Sequence, residues 1–245
     1  AASKADALRI DATIQMQQEF RSSIMSSLFS GAHEASPYLV LEVRRSEIIP
    51  DTLQRVSSLS GSTFKRPLKV KFVGEEGVDA GGVAKEFFQV ITRALFDPSY
   101  GMFLYNPSLR TFWLNGNSLE ASIEFELIGI IIGLAIYNGV LLEMNFPMVL
   151  YRKLLGHRPT LDDLAEVDPE VAKSLRQLLQ LDAASGADLD LTFEVTYDAW
   201  GAHKTHELKP GGSDIAVTPE NREEYVALYV QWRLEAQGER QFAAF

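Results

Sequence analysis

The residues that first invite a chemical reading lie in one stretch, Gly74-Glu75-Glu76-Gly77-Val78-Asp79-Ala80-Gly81-Gly82. Glu75, Glu76 and Asp79 offer the oxygen ligands that hard cations take. Their spacing is not that of a calcium loop, and no Lys-Ser or Lys-Thr follows to cradle a phosphate. The spacing suits a strand-to-helix turn better. Asp79 would sit near the helix start, and Gly81 or Gly82 would supply positive φ or a close approach. His203 and His206 stand three apart beside Glu207. Residues three apart on a strand point to opposite faces, so one metal cannot take both. His33 and His157 fall in expected loops, and neither H-E-x-x-H nor G-x-S-x-G occurs. The chain has no cysteine. It therefore holds no disulfide, thiolate metal site, iron–sulfur cluster or cysteine nucleophile. The reading is that these residues carry no catalytic group, no metal and no cofactor.

A surface pattern is more informative. Val171, Leu175, Leu178 and Leu179 follow helical spacing with Leu181 after them, and Leu189 and Leu191 lie on an alternating run through Val195. A polar loop at 182–188 separates them. Either these residues line an apolar groove that takes a partner, or they form a local core. The pattern leaves both readings open.

Composition bounds the rest. With 245 residues, the length prior of about 150 residues per domain allows one large or two small domains. The 46% apolar and 10% aromatic content excludes a disordered chain. A formal net charge of −10 disfavours binding to a phosphate backbone, so no nucleic-acid partner is expected. No signal peptide is evident at the start, and Ala1 in place of Met suggests a cut or processed chain.

The elements that must position these residues read as follows. An amphipathic helix is expected at 11–29 and a short strand at 38–43, with Leu39, Leu41 and Val43 on one face. Residues 48–59 read as helix, 68–73 as a strand with two outward lysines, and 83–96 as a helix stopped by Asp97-Pro98. A short strand is expected at 111–114. Residues 119–142 read as one long helix, and the uncharged run 127–142 within it carries a G-x-x-x-G at Gly129 and Gly133. That run is shorter than the about 20 residues that span a bilayer, so it reads as a helix buried on all sides. Helices are expected at 148–155 and 169–181, a hairpin at 189–208, and a last helix at 219–234 capped by Thr218. The fold class is α+β and mainly helical, a large helical body with a smaller α/β-hairpin piece near 160–208.

Several motifs together resemble the HECT family of ubiquitin ligases. They include Leu41-Glu42-Val43-Arg44-Arg45, Val70 through Gly82 running into Ala84-Lys85-Glu86-Phe87-Phe88, and Gly133-Leu134-Ala135-Ile136-Tyr137-Asn138. Phe146-Pro147, Tyr151-Arg152-Lys153-Leu154-Leu155 and Ser174-Leu175 with Leu178-Leu179 follow in order. Glu207-Leu208-Lys209-Pro210-Gly211-Gly212, Val217-Thr218-Pro219-Glu220-Asn221 and Tyr225 complete the set.

The resemblance implies that residues 37–245 form the N-terminal lobe of a HECT domain, preceded by a helical extension at 1–36. It implies a lobe that recruits a ubiquitin-conjugating enzyme through its small subdomain. Ubiquitin would then pass to a cysteine in a C-terminal lobe that this chain lacks, and on to substrate lysines. By motif alignment the conjugating-enzyme contacts are Val171, Ser174, Leu175, Gln177, Leu178, Leu181, Leu189, Leu191 and Thr192. Tyr100 resembles part of a non-covalent ubiquitin exosite. Substrates would be held by regions outside this chain, and the implied location is cytoplasm or nucleus. The alternative from another class is a scaffold with no enzymatic parent.

Overall fold

The computed structural model describes residues 36–59, 61–75, 81–181 and 190–245. The expected helix at 11–29, His33, Glu76, Asp79, the loop 182–188 and Leu189 lie outside the described residues. Strands β1 (Leu39–Val43) and β2 (Leu68–Phe72) pair in parallel, Leu39 opposite Leu68 and Val43 opposite Phe72. Helix α1 (Ile48–Val56) makes the crossover. Alternation decides the faces: Leu39, Leu41, Val43, Leu68, Val70 and Phe72 are all buried. Outward, Lys71 Nζ lies 2.7 Å from Glu42 Oε1.

Helix α2 (Gly82–Leu95) follows, and Asp97 stops it by accepting the Ser99 N–H at 2.8 Å. Strands β3 (Phe103–Asn106) and β4 (Thr111–Leu114) pair antiparallel. Their aromatic residues meet α2 and the next helix, with the Phe96 and Phe103 rings stacked at 4.3 Å between centroids.

Helix α3 (Ser122–Tyr137) is the apolar one, with Phe125, Leu127, Ile128, Ile131, Leu134 and Ala135 buried. It corrects two expectations. It ends at Tyr137, because Asn138 Nδ2 donates to the Leu134 carbonyl at 2.7 Å and Gly139 takes φ +65°. It is also not buried all round, since Gly133, Ile136 and Tyr137 face solvent. No helix among the described residues is long and apolar enough to cross a membrane.

Helices α4 (Met148–Leu154), α5 (Leu161–Ala165) and α6 (Pro169–Gln180) come next. Strands β5 (Glu194–Ala199) and β6 (Ala202–Glu207) form the hairpin, turned by Trp200 and Gly201 at φ +52° and +74°. Helices α7 (Arg222–Leu234) and α8 (Glu239–Ala244) close the chain. The last long helix begins three residues later than expected. Thr218 does not cap it; its N–H donates to Asn221 Oδ1 at 2.7 Å, and 219–220 form a turn. The described residues thus form an α+β fold, mainly helical, with three two-stranded sheets.

Candidate partner-binding site

Helix α6 starts with the Asp168 side chain accepting the Val171 N–H and Pro169 in the first turn. Ala172, Leu175 and Leu178 form its buried stripe, and α5 and α7 pack against this helix. Arg222 on α7 donates to the carbonyl oxygens of Leu181 and Leu178, which fixes how the chain leaves α6. Arg176 reaches Asp162 at 2.7 Å on the outer side.

The neighbouring segment is not where alternation put it. β5 begins at Glu194, so Leu191 and Thr192 precede the strand. The Val217 N–H donates to the Leu191 carbonyl at 2.8 Å, and Thr192 makes an antiparallel bridge to Ala216. Phe193 is fully buried, edge-on to Tyr225 with ring centroids 5.5 Å apart, and Lys209 Nζ stands 3.7 Å from its ring centre. The segment at 191–193 is therefore clamped between residues 208 and 215–217.

The candidates separate into buried and exposed residues. Leu175 and Leu178 are each 6% exposed and belong to the main core, so of the two readings left open Leu175 follows the core one. The reason is that α7 covers the stripe on which it lies. Leu181 at 38% and Leu191 at 40% remain open to solvent. Ser174 and Gln177 are exposed, while Val171 and Thr192 are half-buried. Leu181 and Leu191 are thus the open apolar candidates and Leu175 and Leu178 the buried ones, with Leu189 outside the described residues.

Tyr100 lies elsewhere, half-buried beside the first turn of α3. Burial, together with Glu124 and Glu120, pushes its phenol up to about 12. Glu124 is itself pushed up to about 7 by burial and by the side chain of Glu120. In the chain alone Tyr100 buttresses this corner.

Of the acidic loop and the histidines, Glu75, His203 and His206 make ordinary contacts. The Arg45 guanidinium binds Glu75 at 2.5 Å and Glu86 at 2.8 Å, and holds the Glu75 carboxyl below its usual range. His203 pairs with Asp198 at 2.7 Å, whereas His206 stacks on Trp232, so the two histidines do face apart. Sequence reasoning overlooked the exposed Trp200 at the hairpin tip, stacked by Lys204 at 4.2 Å. The Trp-Gly pair between two short strands was its signal.

The sequence profile of the HECT-domain (ubiquitin-transferase) family matches residues 89–245. The chain is 42% identical over 237 residues to a probable E3 ubiquitin-protein ligase, HERC4 of Homo sapiens, covering 95% of this chain and 22% of that protein. It is 37% identical to human HERC3, another probable E3 ubiquitin-protein ligase, over 100% of this chain and 24% of that protein. Similarity extends to mug30 of Schizosaccharomyces pombe, also a probable E3 ubiquitin-protein ligase, at 34% over 99% of the chain and 30% of that protein. The chain thus spans about a fifth to a third of the length of these relatives. Profile and relatives agree with the α+β architecture and with the motifs that run through α2, α3 and α7, and the chain belongs to the HECT-domain (ubiquitin-transferase) family.

Proposed function

We propose that this chain is the part of a ubiquitin-protein ligase that docks a ubiquitin-conjugating enzyme. Residues 37–245 would act as the N-terminal lobe, with 1–36 as its helical extension. The docking surface would be the rim made by Val171, Ser174, Gln177, Leu181, Leu191 and Thr192, with Leu175 and Leu178 as its floor; the family motif adds Leu189. The observation that carries this reading is the pair Leu181 and Leu191. Both stay substantially exposed beside a fully formed core, as a surface awaiting a large apolar side chain would. Family membership and the ligase names of the relatives supply the partner class.

The chemistry divides accordingly. Ubiquitin transfer in such a ligase needs a thiolate nucleophile, and these 245 residues contain none. This chain's part is to hold the charged enzyme while the thioester passes to a cysteine elsewhere. Tyr100 would contribute to a second, non-covalent ubiquitin contact. Substrates would be engaged outside these residues, and the work would take place in cytoplasm or nucleus.

The test is a binding screen of the chain against a panel of ubiquitin-charged conjugating enzymes. At least one should bind, and the double variant Leu181→Asp/Leu191→Asp should lose it while melting normally. Absence of binding across the panel, or binding indifferent to that variant, would overturn the proposal.

A further inference from the structure

A cavity of about 390 Å³ opens where the β5–β6 hairpin meets α7 and the loop that joins β4 to α3. Tyr197 of β5, Trp200 of the hairpin tip, and Tyr229 and Trp232 of α7 give it aromatic walls. The Trp232 ring stands 5.4 Å from that of Tyr197 and 5.7 Å from that of Tyr229, centroid to centroid, so these three form one surface. Trp200 is 62% exposed and stands at the open side. Asp168, whose side chain starts α6, also borders the cavity, which therefore lies at the other end of that helix from Leu181.

The charges around it are unequally engaged. Arg233, half-buried on α7, donates from Nη1 to Gln237 Oε1 at 3.0 Å. Among the described residues nothing else pairs with it, so Nε and Nη2 keep free donors. Burial lowers the pKa of this guanidinium in spite of Asp168 and Tyr229, so its charge is under-compensated where it stands. Two aspartates line the cavity. Asp168 Oδ1 accepts the Val171 N–H and acts on Arg233 only at longer range. Asp198 contributes its backbone. The Leu208 N–H donates to the Phe193 carbonyl, and this parity makes residues 195, 197 and 199 the ones bonded to β6. The Asp198 side chain is then on the opposite face of the hairpin, 2.7 Å from His203. The N–H groups of Thr196 and Asp198 point away from β6, on the side of the cavity. Lys204 lies opposite Tyr197 on the same face, with Nζ 4.2 Å from the Trp200 ring centre and no carboxylate partner among the described residues. Two unpaired cations and two backbone N–H groups thus face one carboxylate that is already engaged.

We infer that this cavity binds a small aromatic carboxylate, with its ring against Tyr197, Trp232 and Trp200 and its carboxylate on Arg233. Free Nε and Nη2 groups present two parallel N–H donors, and a planar carboxylate accepts both at once. An aromatic ring gains by packing offset or edge-on against the rings already there. The volume lies within the about 300–1,000 Å³ usual for small-ligand sites. A free acid and the C-terminal aromatic residue of a protein present the same group, and the test separates them. The site does not depend on the docking proposed at the far end of α6.

The experiment follows the heat of binding of 3-phenylpropanoate to the 245-residue chain. Saturable binding is expected. 3-Phenylpropanamide, with the same ring and no charge, should bind about tenfold more weakly. Arg233→Lys keeps the charge without the fork and should weaken 3-phenylpropanoate by a similar factor. Trp200→Ala, at an exposed hairpin tip, should weaken binding several-fold and melt normally, so the inference stays testable if Arg233→Lys unfolds. Gly-Gly-Phe with a free carboxyl terminus, compared with its amide, identifies the source. Carboxylate-dependent binding as tight as that of the free acid assigns a protein C-terminus, and weaker binding assigns a free acid. The inference fails if 3-phenylpropanoate shows no saturable binding, or if 3-phenylpropanamide or 3-phenylpropylamine binds as tightly. It fails equally if the folded variants bind 3-phenylpropanoate as the parent does.

Discussion

The carbonyl oxygen of Phe245 sits so close over Gly129 that a Cβ on that residue would stand 2.3 Å from it. This contact lets α8 lie across α3 and brings the Phe245 ring edge-on to Phe146 at 6.0 Å. The G-x-x-x-G of α3 is thus half a packing device, because Gly133 four residues on meets nothing within 4 Å. Gly129→Ala should destabilise the fold by about 1–3 kcal/mol through overpacking. Gly133→Ala, on an open helix face, should be neutral or stabilising by up to about 1 kcal/mol. Thermal melts of the two variants check this, and opposite signs are expected from one motif.

A second pair of glycines divides in the same way. Gly81, at the start of α2, holds φ +99°, while Gly82 has no positive φ and open space around its Cα. Gly81→Ala forces a left-handed residue and should cost about 1–2 kcal/mol. Gly82→Ala should cost nothing measurable. A normal melt for Gly81→Ala would remove the backbone role assigned to this turn.

The features legible in the sequence were those whose pattern has one physical solution. Leu39, Leu41 and Val43, with Leu68, Val70 and Phe72, alternate so strictly that only a strand with one buried face fits them. Asp97-Pro98 ends α2 by local chemistry alone. The misplaced features depend on what lies across the interior. The run through Leu191 and Phe193 alternates like the strand that follows, but residues 208 and 215–217 capture it before β5 begins. Leu175 lies inside α6 beneath α7, whereas Leu181 falls just past the helix end with extended φ −60° and ψ 133° and stays open, a boundary that helical spacing does not reveal. Likewise the apolar run at 127–142 gives no sign that Asn138 will fold back on Leu134 and stop the helix, exposing Ile136 and Leu141.

Glu124 makes stability depend on pH in a definite direction. Its carboxyl is raised from an ordinary 4.5 to about 7 by burial and by Glu120, with the Tyr100 hydroxyl and the Ala121 backbone partly offsetting this. The folded chain therefore binds this proton more tightly than the unfolded chain does. The stability it confers is fully present below about pH 4.5 and is lost as pH rises through about 7. Asp51, held down at about 2 by Arg44, works oppositely and only at lower pH. Melting temperature should therefore fall between pH 5 and pH 8, and Glu124→Gln should flatten that dependence. An unchanged slope in the variant would show that the proton sits elsewhere.

Leu175 and Leu191 let the floor and the rim be told apart on one protein. Leu175 is 6% exposed within the main core, beneath α7. Leu175→Ala leaves a cavity there and should cost about 2–5 kcal/mol of stability. For a domain of this size that is roughly a 4–20 °C fall in melting temperature. Leu191 is 40% exposed, and its backbone, not its side chain, is what Val217 holds. Leu191→Ala should therefore change stability by no more than about 0.5 kcal/mol. If a conjugating enzyme buries an aromatic side chain against this rim, the same truncation removes part of the apolar contact. The expected affinity loss is about tenfold, which corresponds to about 1.4 kcal/mol. Melting temperature and conjugating-enzyme affinity, measured on the same two samples, should thus move separately: stability with Leu175, binding with Leu191. A Leu191→Ala chain that melts normally and binds as tightly as the parent would take the rim out of the interface.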